Sequence, residues 1–179
     1  MGALAAPTDI CAGDRLARAR AAAAANVFAE LRRSRVLFPA PLHSLYEAAS
    51  VLEEELDELK DAVRANLIEH ACVEAVQVAA MALRLTIDLA GTPACAARDR
   101  LAVEAVLISS TRCMPADPLV SAHEGCGYLR CWHHRLCAAL AAGQRQQVFV
   151  AANAVAGCAL RFVAEIPLGG LGAACSGWS

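Results

Sequence analysis

Four glutamates in two neighbouring apolar stretches have the type and spacing to bind a divalent cation. Glu54, Glu55 and Glu58 lie within five residues of one another, and Glu74 follows in the next stretch. On an α-helix, side chains three or four residues apart share a face, where like charges repel. A bound cation would offset this repulsion, and ligands that are all oxygen atoms suit Mg²⁺ or Mn²⁺ better than zinc. The spacing therefore predicts a metal site.

These residues resemble the motifs of a known family. Glu54-Glu55-x-x-Glu58, followed by Glu74-x-x-Gln77, is similar to the paired Glu-Glu-x-x-Glu and Glu-x-x-Asp motifs of the MazG-like all-α nucleoside triphosphate pyrophosphohydrolases. Gln77 departs from the family pattern, which has an aspartate there; an amide oxygen can still bind a hard cation but brings no negative charge. The resemblance implies Mg²⁺-dependent hydrolysis of a nucleoside triphosphate to monophosphate and pyrophosphate, with the four glutamates as catalytic and metal-binding residues.

Three cationic side chains near the motif are candidates for binding the nucleotide, together with Gln77. Lys60, Arg64 and Arg84 could each meet phosphate oxygens. Each also lies within a helical turn or so of acidic residues, so an ion pair within the protein is the alternative interpretation.

Composition favours a helical fold. The chain has 179 residues, of which 58% are hydrophobic and only 4% aromatic. Alanine and leucine dominate, while glycine and proline fall mostly between periodic stretches, as is typical of helices rather than strands. We therefore expect an all-α protein with a packed core.

Charge and cysteine content limit the partners and the compartment. The net charge of −2 gives no electrostatic reason to expect polymeric nucleic acid. The nine cysteines are odd in number and irregularly spaced, which favours a reducing cytoplasm over a disulfide framework. The most apolar window, residues 148–160, is shorter than the roughly 20 residues that span a bilayer, so no membrane segment is expected.

In the first third of the chain, the sequence predicts a leader followed by two helices. Residues 1–13 look like a loose leader, and Asp14 is expected to cap a helix that ends near Arg35. Ser44-x-x-Glu47 has the form of a capping box, which predicts the start of the helix that carries Glu54, Glu55 and Glu58.

In the rest of the first half, the sequence predicts a third helix. A break near Asn66 precedes a helix from about Glu69 to Leu89, and Gly91-Thr92-Pro93 closes this part of the chain.

The second half repeats the frame of the first. A shift of 77 positions places Pro118-Leu119 on Pro41-Leu42, and it aligns several further residues. The further pairs are Ser121 with Ser44, Glu124 with Glu47, Leu129 with Leu52, and Ala159-Leu160-Arg161 with Ala82-Leu83-Arg84. We infer an internal duplication: a helical bundle of two three-helix repeats, 14–92 and 93–167, that form an intramolecular pseudo-dimer, followed by a flexible tail at 168–179.

The second repeat lacks the acidic motif. The positions of Glu54, Glu55 and Glu58 are taken there by Cys131, Trp132 and Arg135, and those of Glu74 and Gln77 by Ala151 and Ala154. A group of cysteines and histidines, Cys131, His134 and Cys137 with Cys126, His123 or His133, raises zinc as an alternative ligand of this half. The competing interpretation is free cysteines packed as small apolar residues.

Dimers whose helices complete one another's pockets are characteristic of the MazG-like family. The resemblance therefore implies that the degenerate repeat supplies a wall of the pocket in cis, and it leaves a homo-oligomer of the pseudo-dimer open. The alternative function is a catalytically inactive member that binds a nucleotide or a partner helix.

Overall fold

The computed structural model describes residues 7–91 and 93–169, and over these residues it contains helices and no strand. The prediction of an all-α fold is confirmed. The six α-helices, with a short 3₁₀ helix at Ser110–Arg112 after α4, are α1 (Pro7–Leu37), α2 (Leu45–Arg64), α3 (Ile68–Asp88), α4 (Ala96–Ser109), α5 (Ala122–Ala141) and α6 (Arg145–Gly169).

The first helix is longer than the sequence predicted. It begins at Pro7 rather than at Asp14 and continues to Leu37, so the second half of the predicted leader is helical. Proline suits the first helical position because its missing N–H would have no partner there. Residues 1–6 of the leader, Thr92 and residues 170–179 of the predicted tail lie outside the described residues.

The capping box predicted at Ser44 is present, and the aligned residues Ser121 and Glu124 form a second one. The Ser44 hydroxyl accepts the Glu47 N–H at 3.1 Å, and the Ser121 hydroxyl accepts the Glu124 N–H at 3.1 Å. In each, the glutamate carboxylate turns back to accept the N–H of the residue before the serine, at 2.6 Å from His43 and 2.9 Å from Val120. These local hydrogen bonds fix where α2 and α5 begin.

Helices α3 and α6 form the centre of the bundle. They pack along each other, α2 covers α3, α5 covers α6, and α1 crosses both central helices. Small residues such as Ala79 and Ala156 are fully buried, which allows close approach of the two helices. Both helices are long and apolar enough to span a membrane by length and composition, but 67% and 72% of their most apolar windows are buried within the fold.

Ion pairs attach α1 to both ends of this core. Arg20 contacts Glu165 of α6 at 2.6 Å, and Arg35 contacts Asp88 of α3 at 2.7 Å and Asp99 of α4 at 2.9 Å. The three carboxylate side chains are fully buried, so their removal from water has to be offset by these guanidinium groups.

Candidate metal centre

Three of the four predicted glutamates come together between α2 and α3. Each of Glu55, Glu58 and Glu74 offers a carboxylate oxygen, and these oxygens lie within 4.8 Å of one another. On α2, Glu55 lies one helical turn from each of the fully buried residues Leu52 and Leu59, so it stands at the edge of the face that packs into the fold, with Glu58 beside it. Glu74 projects from α3 and is only 4% exposed. The contact between the two helices therefore builds the cluster.

Burial and mutual repulsion dominate the electrostatics of the cluster. Loss of solvent raises the pKa of Glu55 to about 7, and the nearby charges of Glu58 and Glu74 add to this shift. The pKa of Glu74 is also raised, first by burial and then by the charge of Glu58. One oxygen of Glu55, Oε2, is buried with no hydrogen-bond partner among the described residues. Such an atom is costly unless a cation or a proton satisfies it.

Glu54 lies outside the three-carboxylate cluster, which differs from the predicted set of four. Consecutive helical residues point about 100° apart around the axis, so Glu54 cannot follow Glu55 toward α3. Glu54 is exposed and lines the adjoining pocket instead. It remains a candidate for contact with a bound ligand.

Gln77 and His70 flank Glu74 on α3. The Gln77 side-chain N–H group donates to Glu74 Oε2 at 2.5 Å, so in this arrangement the amide nitrogen faces the carboxylate. His70 Nε2 lies 3.3 Å from Glu74 Oε1. In the sequence His70 looks like a helix-end or surface histidine, although its spacing of four residues from Glu74 places both on one helix face.

Helix α1 contributes two residues that the sequence did not reveal. Glu30 lies near enough to Glu55 for its charge to raise the pKa of that carboxyl. Arg33 donates to both oxygens of Glu30, at 2.7 and 2.8 Å, and its own side chain is 56% exposed. In the sequence this pair looks like an ordinary ion pair on a solvated helix face. Only the packing of α1 on α3 brings it to the site.

A pocket of about 660 Å³ opens beside the acidic cluster. Its polar and charged lining residues are Glu30, Arg33, Ser34, His43, Glu47, Glu54, Glu55, Gln77 and Arg84. Its apolar lining residues include Phe38, Pro39, Pro41, Leu42, Val51 and Met81. All of its lining residues lie between positions 30 and 84, so the wall expected from the second half of the chain comes from α1 and the loop after it.

Two of the predicted nucleotide-binding cations lie away from this pocket. Lys60 is paired with Asp57, and Arg64 lies 3.8 Å from Asp61, both within α2. Neither cation lines the pocket. In the structure both residues therefore form ion pairs within α2, which was the alternative interpretation.

Arg84 lines the pocket, but its donors are directed into the protein. Its guanidinium donates to the backbone carbonyls of Ser34, Phe38 and Ala40 at 3.4, 3.1 and 2.9 Å, and to Asp88 at 3.3 Å. The side chain is 4% exposed. The prediction that Arg84 binds phosphate is therefore corrected, because these partners already occupy most of its N–H groups.

The equivalent place in the second half is filled by other side chains. Trp132, which aligns with Glu55, donates its indole N–H to the Cys113 carbonyl at 2.9 Å, and the Arg135 guanidinium lies 4.4 Å from the Trp132 ring centre. The alternative zinc group is not assembled: Cys137 Sγ lies 3.6 Å from His133 Nε2, but the glutamate cluster is the only group of three metal-binding side chains in the described part of the chain.

Comparison with known proteins adds no relative. No protein family model, curated protein or solved structure matches this chain. The resemblance to the MazG-like family therefore rests on the acidic motif, and the functional conclusion rests on the geometry of the cluster and its pocket.

Proposed function

We propose that this protein is a Mg²⁺-dependent nucleoside triphosphate pyrophosphohydrolase. The observation that carries the proposal is that the carboxylate cluster adjoins, through Glu55, a pocket lined by both charged and apolar side chains. A nucleoside triphosphate needs both kinds of surface, because it has a charged chain at one end and a flat, largely apolar base at the other. The pocket volume of about 660 Å³ falls within the range of small-molecule sites.

The cluster fits a hard divalent cation. Mg²⁺ binds oxygen ligands at about 2.1 Å in octahedral geometry, so three oxygens on one ion are about 3 to 4.2 Å apart. The three carboxylate oxygens lie within 4.8 Å of one another, so modest side-chain rotation would bring them around one ion. The unpartnered Oε2 of Glu55 supplies an oxygen that is already desolvated. Glu55, Glu58 and Glu74 would hold the ion, which supplies neutralisation of phosphate charge and a lower pKa for water.

The other pocket residues then have distinct roles. Arg33 and His43 line the pocket with exposed side chains whose N–H groups can donate to phosphate oxygens. These two residues replace Lys60, Arg64 and Arg84 as our candidates for binding phosphate. Phe38 and its neighbouring prolines offer flat apolar surface to the base. The reaction consumes water at the α,β-phosphoanhydride and releases the monophosphate and pyrophosphate.

We also propose that the two halves arose by duplication and form a pseudo-dimer. In support, α5 begins and ends 77 positions after α2, and α6 begins 77 positions after α3. The turns before α3 and α6 both contain a residue with positive φ, Asn66 at 56° and Gly143 at 67°, again 77 positions apart. The first half would retain the chemistry, and the second would complete the core.

A cytoplasmic protein without a membrane or polymeric nucleic-acid partner agrees with this proposal. The net charge is −2, and the two most apolar helices have most of their apolar windows inside the bundle. A homo-oligomer of the pseudo-dimer remains part of the proposal.

The test compares pyrophosphate release by matched carboxylate variants. Glu55→Gln and Glu58→Gln should each abolish Mg²⁺-dependent release, because the ion loses a ligand, while melting temperature stays equal or rises as repulsion is relieved. Asp61→Asn removes a carboxylate from the same helix at a position 75% exposed and should leave release unchanged. Full activity in Glu55→Gln would refute the site assignment.

One observation favours an inactive nucleotide-binding protein as the second candidate. Gln77 directs its amide nitrogen to Glu74, so it adds no ligand oxygen where the family pattern has an aspartate. For this candidate, calorimetry would show Mg²⁺-dependent binding of a non-hydrolysable triphosphate analogue, while the natural triphosphates would bind and remain intact.

A further inference from the structure

Two buried arginines have the same surroundings in the two halves of the chain. Arg84 is buried and donates to the carbonyls of Phe38 and Ala40 and to the carboxylate of Asp88, one turn further along α3. It therefore connects α3 to the segment that joins α1 to α2.

Arg161 repeats this arrangement on α6. It is 0% exposed and donates to the carbonyls of Pro115 and Asp117 at 2.5 and 2.7 Å and to Glu165 at 2.8 Å. Arg161 and each of its acceptors lie 77 positions after Arg84 and its corresponding acceptors.

The acidic partner completes each arrangement by accepting a backbone N–H group. Leu42 donates to Asp88 Oδ2 at 3.3 Å, and Leu119 donates to Glu165 Oε2 at 3.0 Å. The arginine thus fixes carbonyls near the start of the connecting segment, and the carboxylate fixes its end. A planar guanidinium can satisfy several acceptors in fixed directions, whereas a lysine at the same place is a single point charge.

The two held segments differ in what they border. The first, residues 38–42, supplies much of the apolar lining of the pocket next to the glutamate cluster. The second, residues 115–119, contributes Pro118 and Leu119 to another pocket, but it borders no such cluster in the part of the chain that the structure describes. The same kind of arrangement therefore adjoins a candidate metal site in one half alone.

We propose that Arg84 is a positioning residue that holds the 38–42 wall of the pocket and thereby sets the affinity for the nucleotide. This inference rests on the proposed function. The hydrogen bonds of Arg84 are directed into the protein, and none of them reaches Glu55, Glu58 or Glu74, so it would act through the wall rather than through the metal-binding carboxylates.

The first arm of the test measures the wall directly. Amide hydrogen exchange followed by NMR should be about tenfold faster or more at Leu42 in Arg84→Lys, with Leu119 unchanged. Arg161→Lys should show the reverse and serves as the matched control, since it removes an equally buried guanidinium. Unchanged exchange at Leu42 in a folded Arg84→Lys variant would overturn the proposal.

The second arm measures the consequence for the ligand. Arg84→Lys should raise KM for the triphosphate about tenfold while kcat and Mg²⁺ affinity change little. Arg161→Lys should retain the parent KM. If Arg84→Lys does not fold, Asp88→Asn replaces it, since this variant also loosens the Leu42 contact and should raise KM in the same way.

The outcomes separate this inference from the proposed function. A parent protein that hydrolyses the triphosphate, combined with an unchanged KM in Arg84→Lys, or with equal KM changes in the Arg84 and Arg161 variants, overturns the positioning role alone. A parent protein that neither binds nor hydrolyses triphosphates overturns the proposed function, and the inference fails with it.

Discussion

Glu55 is the residue at which the acidic cluster meets the pocket, and its protonation should control metal binding. Its carboxyl pKa is raised to about 7, chiefly by burial. The ion binds the carboxylate form, so at lower pH a proton has to be displaced. We expect Mg²⁺ affinity to rise about tenfold from pH 6 to pH 8 and to level off above that range. Calorimetric titration measures this change, and a flat profile in the parent protein would contradict it.

Gln77 offers a gain-of-function test of the same carboxylate cluster. Gln77→Asp replaces an amide that donates to Glu74 by a further anionic oxygen at the edge of the cluster. The metal-free variant should be less stable because like charges are crowded, and Mg²⁺ should bind it more tightly than the parent. Metal titrations that superimpose for the variant and the parent would show that position 77 does not face the ion.

Among the elements, α1 differs most from its sequence-based description. Ser44 and Glu47 mark the start of α2 through hydrogen bonds within a few residues, so this boundary could be predicted. The contribution of α1 could not, because Glu30 reaches Glu55 only through helix packing between distant parts of the chain. Arg84 was misassigned for a related reason: the carbonyls that it binds belong to a loop whose course the sequence does not reveal.

The role of α1 can be tested by removing the charge of Glu30. Glu30→Gln should lower the pKa of Glu55 by less than about one unit, because one repelling carboxylate is lost, and should move the pH profile of Mg²⁺ binding to lower pH. Glu104→Gln, at an exposed position on α4, is the control and should leave the profile in place. Coincident profiles for the parent and Glu30→Gln would separate α1 from the site.

In the whole molecule, the sequence repeat predicts that helices of the two halves correspond, but it does not predict that α1 connects the halves by contacts with both. The match of Ser121 with Ser44 indicated equivalent helix starts, which the structure contains. The long α1 breaks the equivalence, since it contacts both α3 and α6 and pairs with acidic residues of both halves. Contact with both halves depends on how long α1 is and on how it packs against α3 and α6, and the apolar periodicity of a sequence specifies neither.

This bridging predicts a single cooperative unit. The full chain should unfold in one denaturant transition, because separation of α3 from α6 would expose fully buried residues such as Ala79 and Ala156. The isolated segment 1–92 should aggregate or form a homodimer for the same reason. Two separate transitions, together with a soluble monomeric first segment, would contradict the pseudo-dimer.

The proposed hydrolysis can be followed directly by ³¹P NMR of a panel of nucleoside triphosphates incubated with the protein, with and without Mg²⁺. The proposed activity predicts that, for at least one nucleotide, the triphosphate signals are replaced by those of a monophosphate and pyrophosphate, only with Mg²⁺ and not in Glu55→Gln. Formation of diphosphate and orthophosphate, or triphosphate signals that persist for every nucleotide with Mg²⁺ present, would contradict it.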